Sequence, residues 1–233
     1  MNIYTANNEK ENKVRYKLKC GASSESFRTK DNLVYKKFLD NKMYRKILDI
    51  HDNDFLAYLI ELSKIENEAF VPIESVYVTR KRLVSSYTYP FQSGTTINEM
   101  YAKTLVDDFI DAVFLFYGHI RKIENLRLND THYRNIIYTG LLKLIDLDMC
   151  IFTNQDERKD NIAKLDDALF RGIFNLYPVG NVRVNDIRVK NMYDSLNAHE
   201  MDIVEFLKEY RTFIRKEYGN CRYLKHLKKG IIS

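Results

Sequence analysis

Three oxygen-bearing side chains fall close together in the stretch LNDTHYRNIIYTGLLKLIDLD, residues 128–148: Asp130, Asn135 and Asp146. Carboxylates and amides are hard oxygen donors, the ligand type that magnesium takes alongside phosphate oxygens. The five-residue step from Asp130 to Asn135 fits a tight loop. After it, IIYTGLLKLID reads as two short apolar runs around a Thr-Gly turn, so a hairpin would return Asp146 to the side of Asn135. Such a set suits magnesium-dependent phosphoryl transfer. Two acids and an amide in ordinary turns would give the same spacing, so the surrounding elements must discriminate.

Those elements belong to a chain of 233 residues, 45% hydrophobic and 30% charged, enough for one large domain or two small lobes. The formal charge of +5 suits ATP or another anionic ligand, and nucleic acid is an unlikely partner at that modest value. Three cysteines, Cys20, Cys150 and Cys221, lie far apart and form no C-x-x-C pair, which argues against a disulfide framework or a zinc site and for a reducing cytoplasm. Residues 1–13, MNIYTANNEKENK, read as a polar tail and not as a signal peptide or membrane anchor. The most apolar stretch, FIDAVFLFYGHI at 109–120, is too short to span a bilayer and contains Asp111, so no membrane partner is expected.

Residues 14–38 alternate as three strands with turns at Gly21–Ser24 and Thr29–Asn32. The first turn is small enough for backbone N–H groups to approach a phosphate, although an ordinary hairpin has the same composition. In the third strand, LVYKKF, neighbouring Lys36 and Lys37 must face opposite sides, so at most one points into a cleft. Residues 41–65 have helical spacing, with Asp54 as a cap before FLAYLIELSKI. Two strands joined by a charged turn at Thr79–Arg82 fill 71–94. From Thr104 to Arg121, Leu105, Phe109, Ala112, Val113, Phe116, Tyr117 and Ile120 form a wide apolar stripe at period 3.6. The last third is helical, with a helix over 199–219 stopped at Gly219 and a basic RYLKHLKKG segment that reads as a solvated lysine-rich end.

The order of these parts resembles the protein-kinase-like superfamily, which includes protein kinases and small-molecule kinases of the aminoglycoside and choline type. The resemblance covers roughly residues 14–180 and rests on the lysine strand, the Tyr89-Pro90-Phe91-Gln92 segment, the apolar helix, Asp130-x-x-x-x-Asn135, Ile145-Asp146 and Asp167-x-x-x-x-Gly172. It implies an α+β, two-lobed kinase-like fold, with a small antiparallel-sheet lobe over 14–90 and a mostly helical, reduced lobe over 91–233.

The resemblance also implies roles. Asp130 would be the catalytic aspartate that orients the acceptor hydroxyl and accepts its proton, and Asn135 and Asp146 would hold Mg2+. Lys36 would reach the phosphates of ATP, Gly21 would lie in the phosphate-covering turn, and the Pro90 carbonyl and Gln92 N–H would hold adenine. Glu61 is the acid available to pair with Lys36, and Asp167 would open the central helix and anchor the catalytic loop. The chain departs from the family pattern in having Leu128-Asn129 before the acid and Leu147-Asp148 after Asp146, where Asp148 reads as a surface acid or a second metal neighbour. The implied function is that of a serine/threonine protein kinase-like enzyme, transferring the ATP γ-phosphoryl group to a hydroxyl acceptor. A binding scaffold without phosphotransfer, a small-molecule kinase and an adenylyl transferase remain open, as does the acceptor itself.

Overall fold

The computed structural model describes residues 1–5, 14–20, 22–100, 104–174 and 186–230. It is an α+β structure that divides into two compact units, Met1–Ser93 and Gly94–Ser233. The division falls three residues beyond the Pro90 limit read from the sequence.

The first unit is built on one sheet. Strands β1 (Asn2–Thr5), β2 (Val14–Cys20), β3 (Ser24–Thr29), β4 (Leu33–Phe38), β5 (Ser75–Val78) and β6 (Val84–Pro90) lie in the order β1-β5-β6-β4-β3-β2. The three strands expected over 14–38 form consecutive antiparallel hairpins. The two expected over 71–94 form another, closed by a turn in which Arg82 has φ 62°.

The sheet is mixed and not purely antiparallel, because β1 pairs with β5 in parallel, Asn2 opposite Ser75 through Thr5 opposite Val78. Residues 2–5 are therefore a strand and not part of a polar tail. Ladder bonds are made by backbone and do not depend on polarity, and an edge strand needs only one paired side. The four residues of β1 are all exposed, which is why their composition resembles that of a tail. Tyr4 stacks on Tyr77 of β5 with ring centroids 5.5 Å apart.

Side chains on β4 alternate, so Val34, Lys36 and Phe38 share one face and Lys37 points the other way, exposed. Two helices cover that face where the sequence suggested one helical region, α1 (Lys42–Ile50) and α2 (Phe55–Leu62). Phe38 stacks on Tyr44 at 4.9 Å and meets Phe55 edge-on at 5.5 Å. Asp52 and Asn53, at φ 50° and 61°, break the helix, since Asp and Asn tolerate the left-handed region better than most residues. Asp54 then caps α2 by accepting from the Ala57 N–H at 3.0 Å.

The second unit is mainly helical, with α3 (Val106–Ile120), α4 (Arg158–Phe174), α5 (Ile187–Asn197) and α6 (Ile203–Tyr218). The stripe predicted on α3 is buried from Phe109 to Ile120. Phe170 and Phe174 of α4 pack against Phe206 and Tyr210 of α6. Gly219, at φ 80°, ends α6. The basic segment beyond it is a 3-10 helix, Leu224–Gly230, that buries Leu224 and Leu227 and whose Leu227 carbonyl accepts from the Tyr210 hydroxyl at 2.9 Å. Its lysines thus ride on a docked segment. Two small antiparallel ladders complete the unit. One joins β7 (Thr95–Thr96), β9 (Ile136–Tyr138) and β10 (Leu142–Leu144), and the other joins β8 (Leu126–Arg127) to β11 (Ile151–Phe152).

Candidate active site

The loop bearing Asp130 leaves β8 and runs to a 3-10 turn at Tyr133–Asn135. Its beginning is fixed from α4. The buried Asn161 side chain accepts from the Leu128 N–H at 2.8 Å and donates to the Leu126 carbonyl at 2.7 Å. One amide thereby satisfies a donor and an acceptor that would otherwise be buried without partners. Beside it, Arg127 makes a two-point contact with the buried Glu157, at 3.0 and 2.8 Å. That hydrogen-bonded pair holds the Glu157 carboxyl below its usual range and raises the Arg127 guanidinium. The Thr153 hydroxyl also donates to Glu157, at 3.0 Å.

The end of the loop is closed locally. Asn135 donates its side-chain N–H to the Asp130 carbonyl at 3.1 Å, which leaves its amide oxygen as an acceptor or metal donor. The hairpin of β9 and β10 returns the chain as predicted, and the Ile145 N–H donates to the Asn135 carbonyl at 2.8 Å. Asp146 follows directly. Asp130 and Asp146 are both exposed and both left-handed, at φ 54° and 65°. Non-glycine residues in that region are uncommon, and such conformations concentrate at functional sites.

A third acid joins them. Asp148 is 2% exposed, so it is not the surface acid expected; the turn that bonds the Cys150 N–H to the Leu147 carbonyl folds it inward. Cys150, also buried, reports on the group: burial pushes its thiol up to about 12, and the charges of Asp148, Asp146 and Asp130 add to the rise. Its sulfur lies 3.7 Å from the Asn129 carbonyl, to which the thiol donates. Three carboxylates thus lie within electrostatic reach of one thiol. Among the described residues no three His, Cys, Asp or Glu side chains are grouped as a metal site. An amide oxygen with carboxylates instead suits magnesium, which keeps water and takes phosphate oxygens for its remaining positions.

Asp167 does not open a helix. It lies well inside α4, exposed, with both carboxylate oxygens on Arg171 at 2.7 and 2.8 Å. Helix α4 starts nine residues earlier, at Arg158, and the loop anchor is Asn161. The neighbouring Asp166 is the buried acid, accepting from the Tyr117 hydroxyl at 2.6 Å and the Ile203 N–H at 2.9 Å. Burial raises its carboxyl to about 6 and lifts the Tyr117 phenol well above its usual value. Gly172 has a packing reason: a Cβ there would come within 2.6 Å of Ile97 and 2.8 Å of Tyr133 in the loop's turn. Asn161 and Glu157 were missed because a buried amide and a buried acid near a helix start look like ordinary surface residues. Their one signal is position, Glu157 directly before and Asn161 in the first turn of the helix that follows the acid cluster.

The remaining candidates lie in the first unit. Lys36 is 2% exposed, with its ammonium 5.6 and 5.7 Å from the rings of Phe38 and Tyr87. Glu61 is half-exposed and pairs with Lys64 at 2.5 Å, one helical turn away, so it is not the partner of Lys36. Pro90 ends β6, and its carbonyl accepts from the Gln92 side chain at 3.3 Å. Phe91 is held by its N–H to the Asn32 carbonyl and by the Arg28 guanidinium, 3.9 Å above its ring. Gly21 lies outside the described residues.

No protein-family model matches the chain, and no curated protein matches it. No helix among the described residues is long and apolar enough to cross a membrane.

Proposed function

We propose that this protein is an ATP- and Mg2+-dependent phosphotransferase of reduced, two-lobed kinase-like fold, moving the γ-phosphoryl group to a hydroxyl acceptor. The observation that carries the proposal is the closed loop: Asn135 bonded back to the Asp130 carbonyl, with the hairpin delivering Asp146 beside it. Bound magnesium would neutralise charge on the phosphates. The Asn135 amide oxygen and the Asp146 carboxylate would be its protein donors. Asp130 orients the acceptor hydroxyl and takes its proton as the oxygen attacks the γ-phosphorus, whose bond to the bridging oxygen breaks so that ADP leaves. Lys36, in the first unit, is assigned to the nucleotide phosphates, and the Pro90 carbonyl and Gln92 N–H to adenine. Phosphoryl transfer depends on positioning and charge stabilisation, so a loop braced at both ends is what such chemistry needs.

A second reading, a nucleotide-binding scaffold without transfer, draws support from Glu61, whose carboxylate is engaged by Lys64. Incubation with labelled ATP and magnesium, read by mass spectrometry, separates the two. The transferase labels itself or a partner, and Asp130→Asn lowers the rate by roughly three orders of magnitude or more. Equal labelling by the variant would remove Asp130 from the chemistry. Stabilisation by ATP with no transfer at all would favour the scaffold.

A further inference from the structure

A cavity of about 490 Å3 opens beside Asp130, bounded by Thr131 of the same loop, by Ala163, Lys164 and Asp167 of α4, and by His199. It lies wholly within the second unit. A second cavity, of about 450 Å3, shares Ala163 and His199 with it and extends along α4 to Arg158 and Lys159. Residues 159, 163 and 167 recur every four positions, so one face of α4 floors a trough that begins at the proposed catalytic acid. Ala163, at the join, leaves it open.

The charges in the two cavities differ. In the far one four acids, Asp166, Glu200, Asp202 and Glu205, face Arg121, Arg158 and the exposed Lys159, and the arginines are engaged: Arg121 with Asp202 at 3.3 Å, Arg158 with Asp156 at 2.6 Å and Glu124 at 2.9 Å. Beside Asp130 the balance is different. Arg171 takes up the charge of Asp167. Lys164 lines the cavity half-buried and makes no hydrogen bond or close ion pair with any described residue, its charge being felt only at longer range by Glu157. The Thr131 hydroxyl oxygen is buried and has no partner among the described residues. A buried hydroxyl without a partner is unfavourable by about 1–3 kcal/mol, and rotation about its Cα–Cβ bond would offer it to a group in the cavity. An ammonium and a hydroxyl that no described residue hydrogen-bonds, next to the proposed catalytic aspartate, are complementary to a molecule carrying both a hydroxyl and an anion.

We infer that the cavity beside Asp130 is the acceptor site, and that Lys164 with Thr131 binds an anionic group, phosphate or carboxylate, on a small hydroxyl-bearing acceptor. The inference rests on the phosphotransferase reading for the role of Asp130, while the anion subsite stands on the cavity itself. The anion has two chemical sources, the acceptor or the γ-phosphate of ATP.

Inorganic phosphate, titrated at millimolar concentration into the full chain, is the probe. The His199 imidazole resonance, assigned with His199→Gln, is the readout. Phosphate is expected to shift His199 in the wild type, and to bind at least roughly tenfold more weakly to Lys164→Gln, the order of one lost charge-assisted hydrogen bond. No shift in the wild type, or an unchanged affinity in the variant, overturns the subsite. A shift that persists with ATP and magnesium present assigns the anion to the acceptor; competition by ATP assigns it to the nucleotide and overturns the acceptor assignment. Phosphate binding without any transfer from ATP would leave the subsite standing while the phosphotransferase reading fell. Transfer with no phosphate effect would do the reverse.

Discussion

The two ends of the Asp130 loop are held in opposite ways. Its start is clamped by buried groups at the start of a distant helix, Asn161 in its first turn on the Leu126 and Leu128 backbone and Glu157 just before it on Arg127, across 30 to 35 residues of sequence. Its end is closed by neighbours, Asn135 on Asp130 five residues back and Ile145 on Asn135 through a short hairpin, largely in contact with solvent. The difference separates stability from chemistry. Buried anchors carry large penalties when broken, because the groups they leave behind cannot reach water, whereas exposed closures carry small ones. Donors that must meet a metal or a substrate can only be of the second kind.

The largest effect is expected at the buried end. Asn161→Leu strands the Leu128 N–H and the Leu126 carbonyl and should lower unfolding free energy by on the order of 3 kcal/mol in urea titration. A loss below about 1 kcal/mol would erase the contrast between the two ends. Next comes Gly172→Ala, whose Cβ would press on Ile97 and on Tyr133, the residue that seats the loop's turn. Overpacking of this kind costs about 1–3 kcal/mol, and unchanged stability would show that the turn is free to shift.

Asp166 tests the buried side through pH. Its folded value of about 6 lies above the ordinary 3.8, so its contribution to stability is complete below about 3.8 and is lost as pH rises through about 6. Tyr117, Asp202, His199 and Arg121 are the titratable groups around it. Asp166→Asn keeps an oxygen for the Tyr117 hydroxyl and the Ile203 N–H, and should flatten that decline, worth on the order of 2 kcal/mol, in melting temperatures measured from pH 4 to 7. An unaltered slope would place the titration elsewhere. The smallest change in stability is expected at the exposed end. Asn135→Ala should cost about 0.5–1.5 kcal/mol, yet abolish ATP-dependent labelling under the proposed function. Loss of both together would mean that the two ends are one unit.

The same division governs what the sequence made visible. The hairpin after Asn135, the stripe on α3 and the strands of 14–38 were legible because their signals are local: a Thr-Gly turn, a 3.6 period, an alternation of faces. Asp130, Asn135 and Asp146 stood out because their spacing is itself a short-range pattern. Asn161 could not be read, since its meaning lies in two backbone groups more than 30 residues away. Asp167 was misassigned as the anchor for the same reason: a short motif fixes order along a chain but not which turn of a helix meets a loop. Asp148 looked like a surface acid because nothing local shows that its turn folds inward, and Glu61 looked available to Lys36 because its exposed contact with Lys64 is invisible in a one-letter string.

One consequence of the edge strand β1 concerns the order of events during synthesis. Asn2 pairs with Ser75, so β1 is made 73 residues before the strand that receives it. At about 5–20 residues per second the ribosome takes several seconds to cover that distance, ample time for the hairpins of 14–38 to form. β1 therefore waits without its ladder partner until β5 has been made. A fusion partner or tag placed ahead of Met1 would sit beside this docking step.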